Sequence, residues 1–186
     1  MSVPSKSLRF CRRALDQRSE FWAEQARAIY WQKPFSDVCR FDRPPFVRWF
    51  DGGETNLCYN AVDRHLEKRA DQFAVHYLST EVGAEQSFTY RQVHQEVCAF
   101  AAVLQSLGLQ RGDRVVIYLP MIPEAFFSML ACVRIGLVHS VVFAGFAPPS
   151  LASRIDDAEA KLLITADAGL RGGKLFPEYA ADFFER

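Results

Sequence analysis

The sequence predicts an α/β fold, a parallel sheet flanked by helices, with an aromatic-rich strap ahead of it. Three buried-strand candidates predict the sheet: 114–119, a nearly continuous apolar run of the kind that suits a strand covered on both faces, 138–143 and 162–165. Helical patterns separate them, at 123–135 and 148–158, with short connections. Strand, helix, strand, helix, strand in this order argues for parallel strands joined by right-handed crossovers.

The elements follow in chain order. Residues 1–55 are rich in arginine and aromatics, with Phe21-Trp22, Tyr30-Trp31, Phe41, Phe46 and Trp49-Phe50 broken up by Pro34, Pro44 and Pro45. Ser19 is placed to cap a short helix over 20–29, and the rest reads as an extended strap that buries its rings. Cys58, Val62 and Leu66 recur every four residues and predict one amphipathic helix. Residues 73–78 suit a strand. Thr89 is an N-cap candidate for a helix whose face is Val93, Val97, Phe100, Ala101, Leu104 and Leu107, ending at Gly108. Arg111-Gly112-Asp113 is a polar turn into the first core strand. Pro123 at a first helical turn starts the next helix, which ends at Gly136. Pro148-Pro149-Ser150 opens the last one, through Asp157 or Ala158.

Composition excludes several classes. With 49% apolar residues the 186-residue chain is globular. Lysine plus arginine equals aspartate plus glutamate at 22 each, so the net basic field of a nucleic-acid binder is absent. Cys11, Cys39, Cys58, Cys98 and Cys132 match neither zinc-knuckle nor redox-pair spacing, and their odd number argues against a disulfide framework; reduced thiols in the cytoplasm are expected. The first ten residues contain no apolar run of the signal-peptide kind. The longest apolar region, 115–133, is interrupted by Pro120, Pro123 and Glu124, so no membrane span is expected.

Ligands of such sheets bind at the carboxyl ends of the strands. That directs attention to Pro120-Met121, to Phe143-Ala144-Gly145-Phe146 and to residues 167–174. Arg171-Gly172-Gly173-Lys174 sets two cations around two glycines, an arrangement that lets a phosphate approach the backbone and that equally suits a solvated turn. Phe143 through Phe146 leaves room for a narrow ligand, or makes a tight turn with core aromatics. His65, His76, His94 and His139 fall on separate elements without metal-ligand spacing, and His139 reads as a core residue. Asp156, Asp157 and Glu159 read as solvent-facing. Ser128 lacks the G-x-S-x-G context, and neither common glycine-rich phosphate loop is present. No catalytic residue and no metal ligand is assigned.

The sequence resembles the N-terminal part of AMP-forming acetyl- and propionyl-CoA synthetases, in the adenylate-forming superfamily. The resemblance covers about residues 8–175. It is carried by ordered blocks including Phe21-Trp22-Ala23-Glu24-Gln25-Ala26, Pro45-Phe46-Val47-Arg48-Trp49-Phe50, Asn60-Ala61-Val62-Asp63-Arg64, Gly112-Asp113-Arg114-Val115, Pro120-Met121-Ile122-Pro123-Glu124, Ala131-Cys132-Val133-Arg134-Ile135-Gly136 and Arg171-Gly172-Gly173-Lys174. The Trp-Ala-Glu-Gln, Arg-Pro-Pro-Phe and Arg-Gly-Gly-Lys stretches look closer to the propionyl type. The resemblance implies a partial first subdomain of the adenylate-forming fold: an N-terminal segment over 1–55, the start of an AMP-binding domain over 56–175 and a divergent tail over 176–186.

The family joins a short carboxylate to ATP and passes the acyl group to CoA. The resemblance implies that Arg171, Gly172, Gly173 and Lys174 contact the nucleotide end of CoA, and that Phe143 and Gly145 lie near it. Ala144 stands where the family has a glycine. The family's ATP loop, carboxylate pocket and catalytic lysine belong to sequence beyond residue 186. ATP and magnesium are therefore implied for the complete enzyme, and only a partial CoA site for this chain, which is expected to be inactive alone. A non-catalytic remnant or interaction module that keeps CoA binding is the alternative. The unpaired sheet edge and the acidic, aromatic tail imply self-association.

Overall fold

The computed structural model describes residues 5–176 and divides into two units, Met1–Asn56 and Leu57–Arg186. The tail over 177–186 lies outside the described residues.

The first unit holds two helices and a hairpin. Helix α1 is Lys6–Asp16, and Ser5 caps it by accepting from the Leu8 amide at 3.3 Å. Helix α2 is Arg18–Ala26; its N-cap is Gln17, not Ser19, and it ends before the expected Ile29. The predicted strap is a hairpin, β1 (Asp37–Arg43) against β2 (Phe46–Asp51). Its exposed Phe41 and Phe46 gave it no legible inward face. The rings pack mainly on one another. Phe21 is buried beneath Phe10 and Trp22, with centroids 4.8 and 5.2 Å away. Trp31, Phe35 and Phe50 form a second cluster at 5.1–5.4 Å. Gly53 is required there, because a Cβ would lie 2.8 Å from the Trp31 ring.

The second unit begins with a broken helix: α3 (Leu57–Ala61), a 3-10 turn over Asp63–His65, and α4 (Leu66–Arg69). The four-residue spacing predicts one continuous helix. The backbone departs at Val62, and Asp63 instead accepts from Arg134 Nη1 at 2.8 Å through both carboxylate oxygens. Tertiary contact overrides local pattern here. A hairpin follows, β3 (Phe73–Ser79) with β4 (Ala84–Thr89). The polar strand β4 carries no apolar alternation and was not expected. Thr89 closes it and opens α5 (Tyr90–Ser106) through a reciprocal capping box with Gln92.

The sheet is built from β5 (Arg114–Tyr118), β6 (Val138–Val141) and β7 (Leu162–Thr165), all parallel, in the order β6-β5-β7. Helix α6 (Pro123–Ile135) joins β5 to β6, with proline in its first turn and left-handed Gly136 as its C-cap. Helix α7 (Pro148–Ala158) joins β6 to β7. Alternate residues of β5 face different cores. Val115 and Ile117 pack with Val97, Leu104, Phe127 and Leu130 of α5 and α6. Val116 and Tyr118 pack with Leu151 and Ile155 of α7. Helices thus cover both faces, as crossovers of one hand demand when the chain reverses direction across the sheet. Only β5 is buried as the apolar run predicts. Strand β6 is a sheet edge among the described residues, and its Val138 and Val141 are exposed.

The amino end of the sheet is fixed by the 111–113 turn. Gly112 donates to the Gly136 carbonyl at 2.9 Å, and the Asp113 carbonyl accepts from Val138 at 2.9 Å. The Asp113 carboxylate is 2.7 Å from Lys161 Nζ and accepts from the Gln110 amide at 2.8 Å. Lys161 first, and then that amide, hold its pKa below the ordinary aspartate value. A depressed carboxylate contributes stability above the unfolded pKa, about 4, and loses it as pH falls through the folded value. Urea unfolding across pH should therefore show Asp113→Asn less stable than the parent at pH 7, with the difference closing below about pH 4. A difference constant with pH would contradict this role.

Candidate functional site

The sheet reverses its winding at β5: the chain steps to β6 on one side and then returns past β5 to β7 on the other. A crevice at the carboxyl ends of the strands is expected where the order reverses. A cavity of about 390 Å³ lies there. Its walls are Pro120 to Ile122 after β5, Ala168 to Leu170 and Leu175 after β7, and the end of β3 with its turn, Tyr77 to Val82.

After β7 the chain forms a hairpin, β8 (Gly169–Arg171) against β9 (Lys174–Phe176). Residues 171 and 174 are register partners at its tip. Gly172 and Gly173 make the two-residue loop, with φ of 58° and 72°. Two left-handed residues in succession are the requirement of the tight hairpin turn whose twist matches the strands. A Cβ at either glycine would meet nothing within 4 Å, so the need for glycine is conformational. The sequence pattern leaves the glycines either to close ligand approach or to a solvated turn. In the structure both N–H groups are already used: Gly172 donates to Glu81 Oε1 at 3.0 Å and Gly173 to Glu81 Oε2 at 3.2 Å. Glu81 was not foreseen, because no local pattern links residues 91 and 92 positions apart.

Phe143 and Gly145 follow β6, on the other side of β5 and about 10 Å across the sheet from β7 at the usual strand spacing. They leave the same end of the sheet but do not line the cavity. The segment is a turn, with the Phe146 amide donating to the Phe143 carbonyl at 3.1 Å. The Tyr118 hydroxyl at the end of β5 fastens it by donating to the carbonyls of Phe146 at 3.0 Å and Ala144 at 3.4 Å. The Ala144 methyl packs on the core of Val116, Val142 and Leu151, which accommodates its departure from glycine. Phe146 carries the Arg154 guanidinium 4.9 Å above its ring, while Phe143 is exposed.

The remaining sequence candidates are structural. Ser128 is buried and donates to Ala125 within its helix at 2.9 Å. His139 is half-buried, and burial pushes its pKa down. Burial also raises the Cys132 thiol to about 11. Among the described residues no group of three His, Cys, Asp or Glu is placed to hold a metal ion. No described helix is long and apolar enough to cross a membrane.

A parallel three-stranded sheet flanked by helices is the architecture of a partial adenylate-forming domain. The chain belongs to the AMP-binding enzyme family, whose model matches residues 62–182, and the acetyl-coenzyme A synthetase N-terminus model matches residues 8–61 ahead of it. It is 55% identical over 168 residues to the propionate–CoA ligase of Escherichia coli (strain K12), covering 90% of this chain and 27% of that protein. It is 54% identical over 159 residues to the acetyl-coenzyme A synthetase of Syntrophus aciditrophicus (strain SB), covering 84% and 25%. The chain thus spans about a quarter of the length of the curated relatives it matches.

The Tyr118 anchor is directly testable. Tyr118→Phe should cost about 1 kcal/mol, the worth of one hydrogen bond, and should speed hydrogen exchange at the Phe146 amide. Unchanged exchange there would show that the turn stands without the hydroxyl.

Proposed function

We propose that this chain is the N-terminal portion of a short-chain acyl-CoA synthetase of the propionyl or acetyl type, acting in the cytoplasm. The complete enzyme would convert propionate or acetate, ATP and CoA to acyl-CoA, AMP and diphosphate. This portion supplies part of the binding surface for the nucleotide end of CoA, through the cations at 171 and 174 and the turn between them, with Phe143 and Gly145 beside it. On this reading the chain alone binds and does not adenylate.

The observation that carries the reading is the 55% identity to a propionate–CoA ligase across nine-tenths of the chain. The placement of residues 171 and 174 opposite each other on a tight turn beside the cavity supports it. Cations at a protein surface make charge-assisted hydrogen bonds to phosphate oxygens, roughly twice as strong as neutral ones. The exposed edge of β6 offers a strand-pairing surface, so self-association belongs to the same proposal.

Calorimetry on the 186-residue chain tests the binding role. CoA should give saturable heat and dephospho-CoA weaker binding. Arg171→Ala with Lys174→Ala should abolish the CoA signal, since removing either cation weakens phosphate binding about tenfold or more. CoA binding unaffected by the double substitution, or no CoA binding at all, would contradict the reading.

A further inference from the structure

The Gly172–Gly173 turn already holds an anion, and that anion is part of the chain. Successive N–H groups in a turn can aim to one side and form a concave pair of donors, a nest that recognises anions by backbone alone. Here the pair is matched oxygen for oxygen by the Glu81 carboxylate, at 3.0 and 3.2 Å. The carboxylate arrives from the β3–β4 turn, a wall of the same cavity that the β8–β9 hairpin lines. Glu81 is exposed, so leaving the turn uncovers no buried charge. Its turn includes Gly83, with φ of 61° and open space around it.

A carboxylate and a phosphate group present the same feature to such a pair: two oxygens that share negative charge. We propose that the Gly172 and Gly173 N–H groups form a binding site for a phosphate group and that Glu81 is its resident competitor. The inference rests on the assignment of this turn to phosphate contact and adds a residue and a selection rule to it. With Glu81 in place, an incoming anion must first displace an internal ligand at high effective concentration. A lone phosphate gains only the two N–H bonds and loses the competition. A ligand carrying several phosphates gains further contacts to the cations at 171 and 174 and wins it. Glu81 also holds the turn in its left-handed conformation while no ligand is present, which keeps the site formed.

The alternative role for Glu81 is a simple tie between two hairpins. The two roles predict opposite effects of removing its charge. Without a tie the turn loosens and anion binding weakens; without a competitor anion binding strengthens. The test titrates inorganic pyrophosphate into the full 186-residue chain and into its Glu81→Gln and Glu81→Ala variants, following the amide resonances of Gly172 and Gly173. Glu81→Ala should bind pyrophosphate roughly tenfold more tightly than the parent, about the worth of one hydrogen bond to a charged group, with both glycine amides moving on saturation. Glu81→Gln keeps the side-chain shape without the charge and should also bind more tightly than the parent, so it decides the matter if the alanine variant does not fold. Equal or weaker binding in the variants, or tighter binding that leaves the two glycine amides unmoved, would overturn the proposal. The probe is independent of the CoA titration: loss of CoA binding alone removes the coenzyme reading and leaves the nest, and unchanged pyrophosphate affinity alone removes the nest and leaves the coenzyme reading.

Discussion

Strand β5 must be apolar on both sides, and much of the second unit follows from that constraint. Val115, Val116 and Ile117 are essentially without solvent exposure, and Tyr118 is 7% exposed. Two of the four face α5 and α6, and two face α7. A strand placed so can only be central, with β6 and β7 as neighbours in parallel. The crossover rule then sends the two connecting helices to opposite faces and opens the crevice at the carboxyl end. Polar groups are tolerated on this strand only at its ends. At one end Asp113 and Arg114 bind the segment over 158–161 that leads into β7; at the other the Tyr118 hydroxyl reaches out to the 143–146 turn.

The two ends of the sheet divide the work. The amino end is closed by the Asp113–Lys161 pair and by backbone bonds among the 111–113 turn, Gly136 and Val138. At the carboxyl end, among the described residues, the chain leaves β5 and β6 through loops that lead into α6 and α7, and leaves β7 into the β8–β9 hairpin. A second ionic cluster lies on the helical side. Asp63 receives Arg134, with His94 Nε2 3.4 Å from the same carboxylate. Burial works first against the Arg134 charge, and the Asp63 carboxylate together with the Cys58 and Cys98 thiols more than restores it, so its pKa ends above the ordinary value. That network joins the 3-10 turn over Asp63–His65 to α5 and α6 and is a fixture of the scaffold. Removing one partner would leave the other half-buried without compensation.

Much of the scaffold was legible in the sequence because it rests on local rules. Thr89, Pro123 and Gly136 mark helix ends by chemistry that acts within a turn, and the apolar run of β5 records burial on both faces. The failures have physical causes of the same clarity. The 57–69 region has helical spacing, yet Asp63 gains more from Arg134 than the backbone gains from an unbroken helix. Strand β6 sets His139 and Ser140 between its two valines and stands at the edge of the described sheet. Strand β4 pairs through its backbone and shows little in its side chains. In the candidate site, the basic glycine turn was visible as a motif, whereas its Glu81 partner was not. The hydrogen bonds that unite them span 91 and 92 residues, and periodicity carries no information over that distance.

On the proposed function, the carboxyl end of the sheet that β5 organises contains the chain's share of a CoA site. The most direct measurement is an amide correlation spectrum of the 186-residue chain during CoA titration. Shifts are predicted for Met121, Gly145, Gly172 and Gly173, with Gly112, Gly136 and Lys161 unmoved at the opposite end. Shifts centred on those amino-end residues, or no shifts at saturating CoA, would contradict the account.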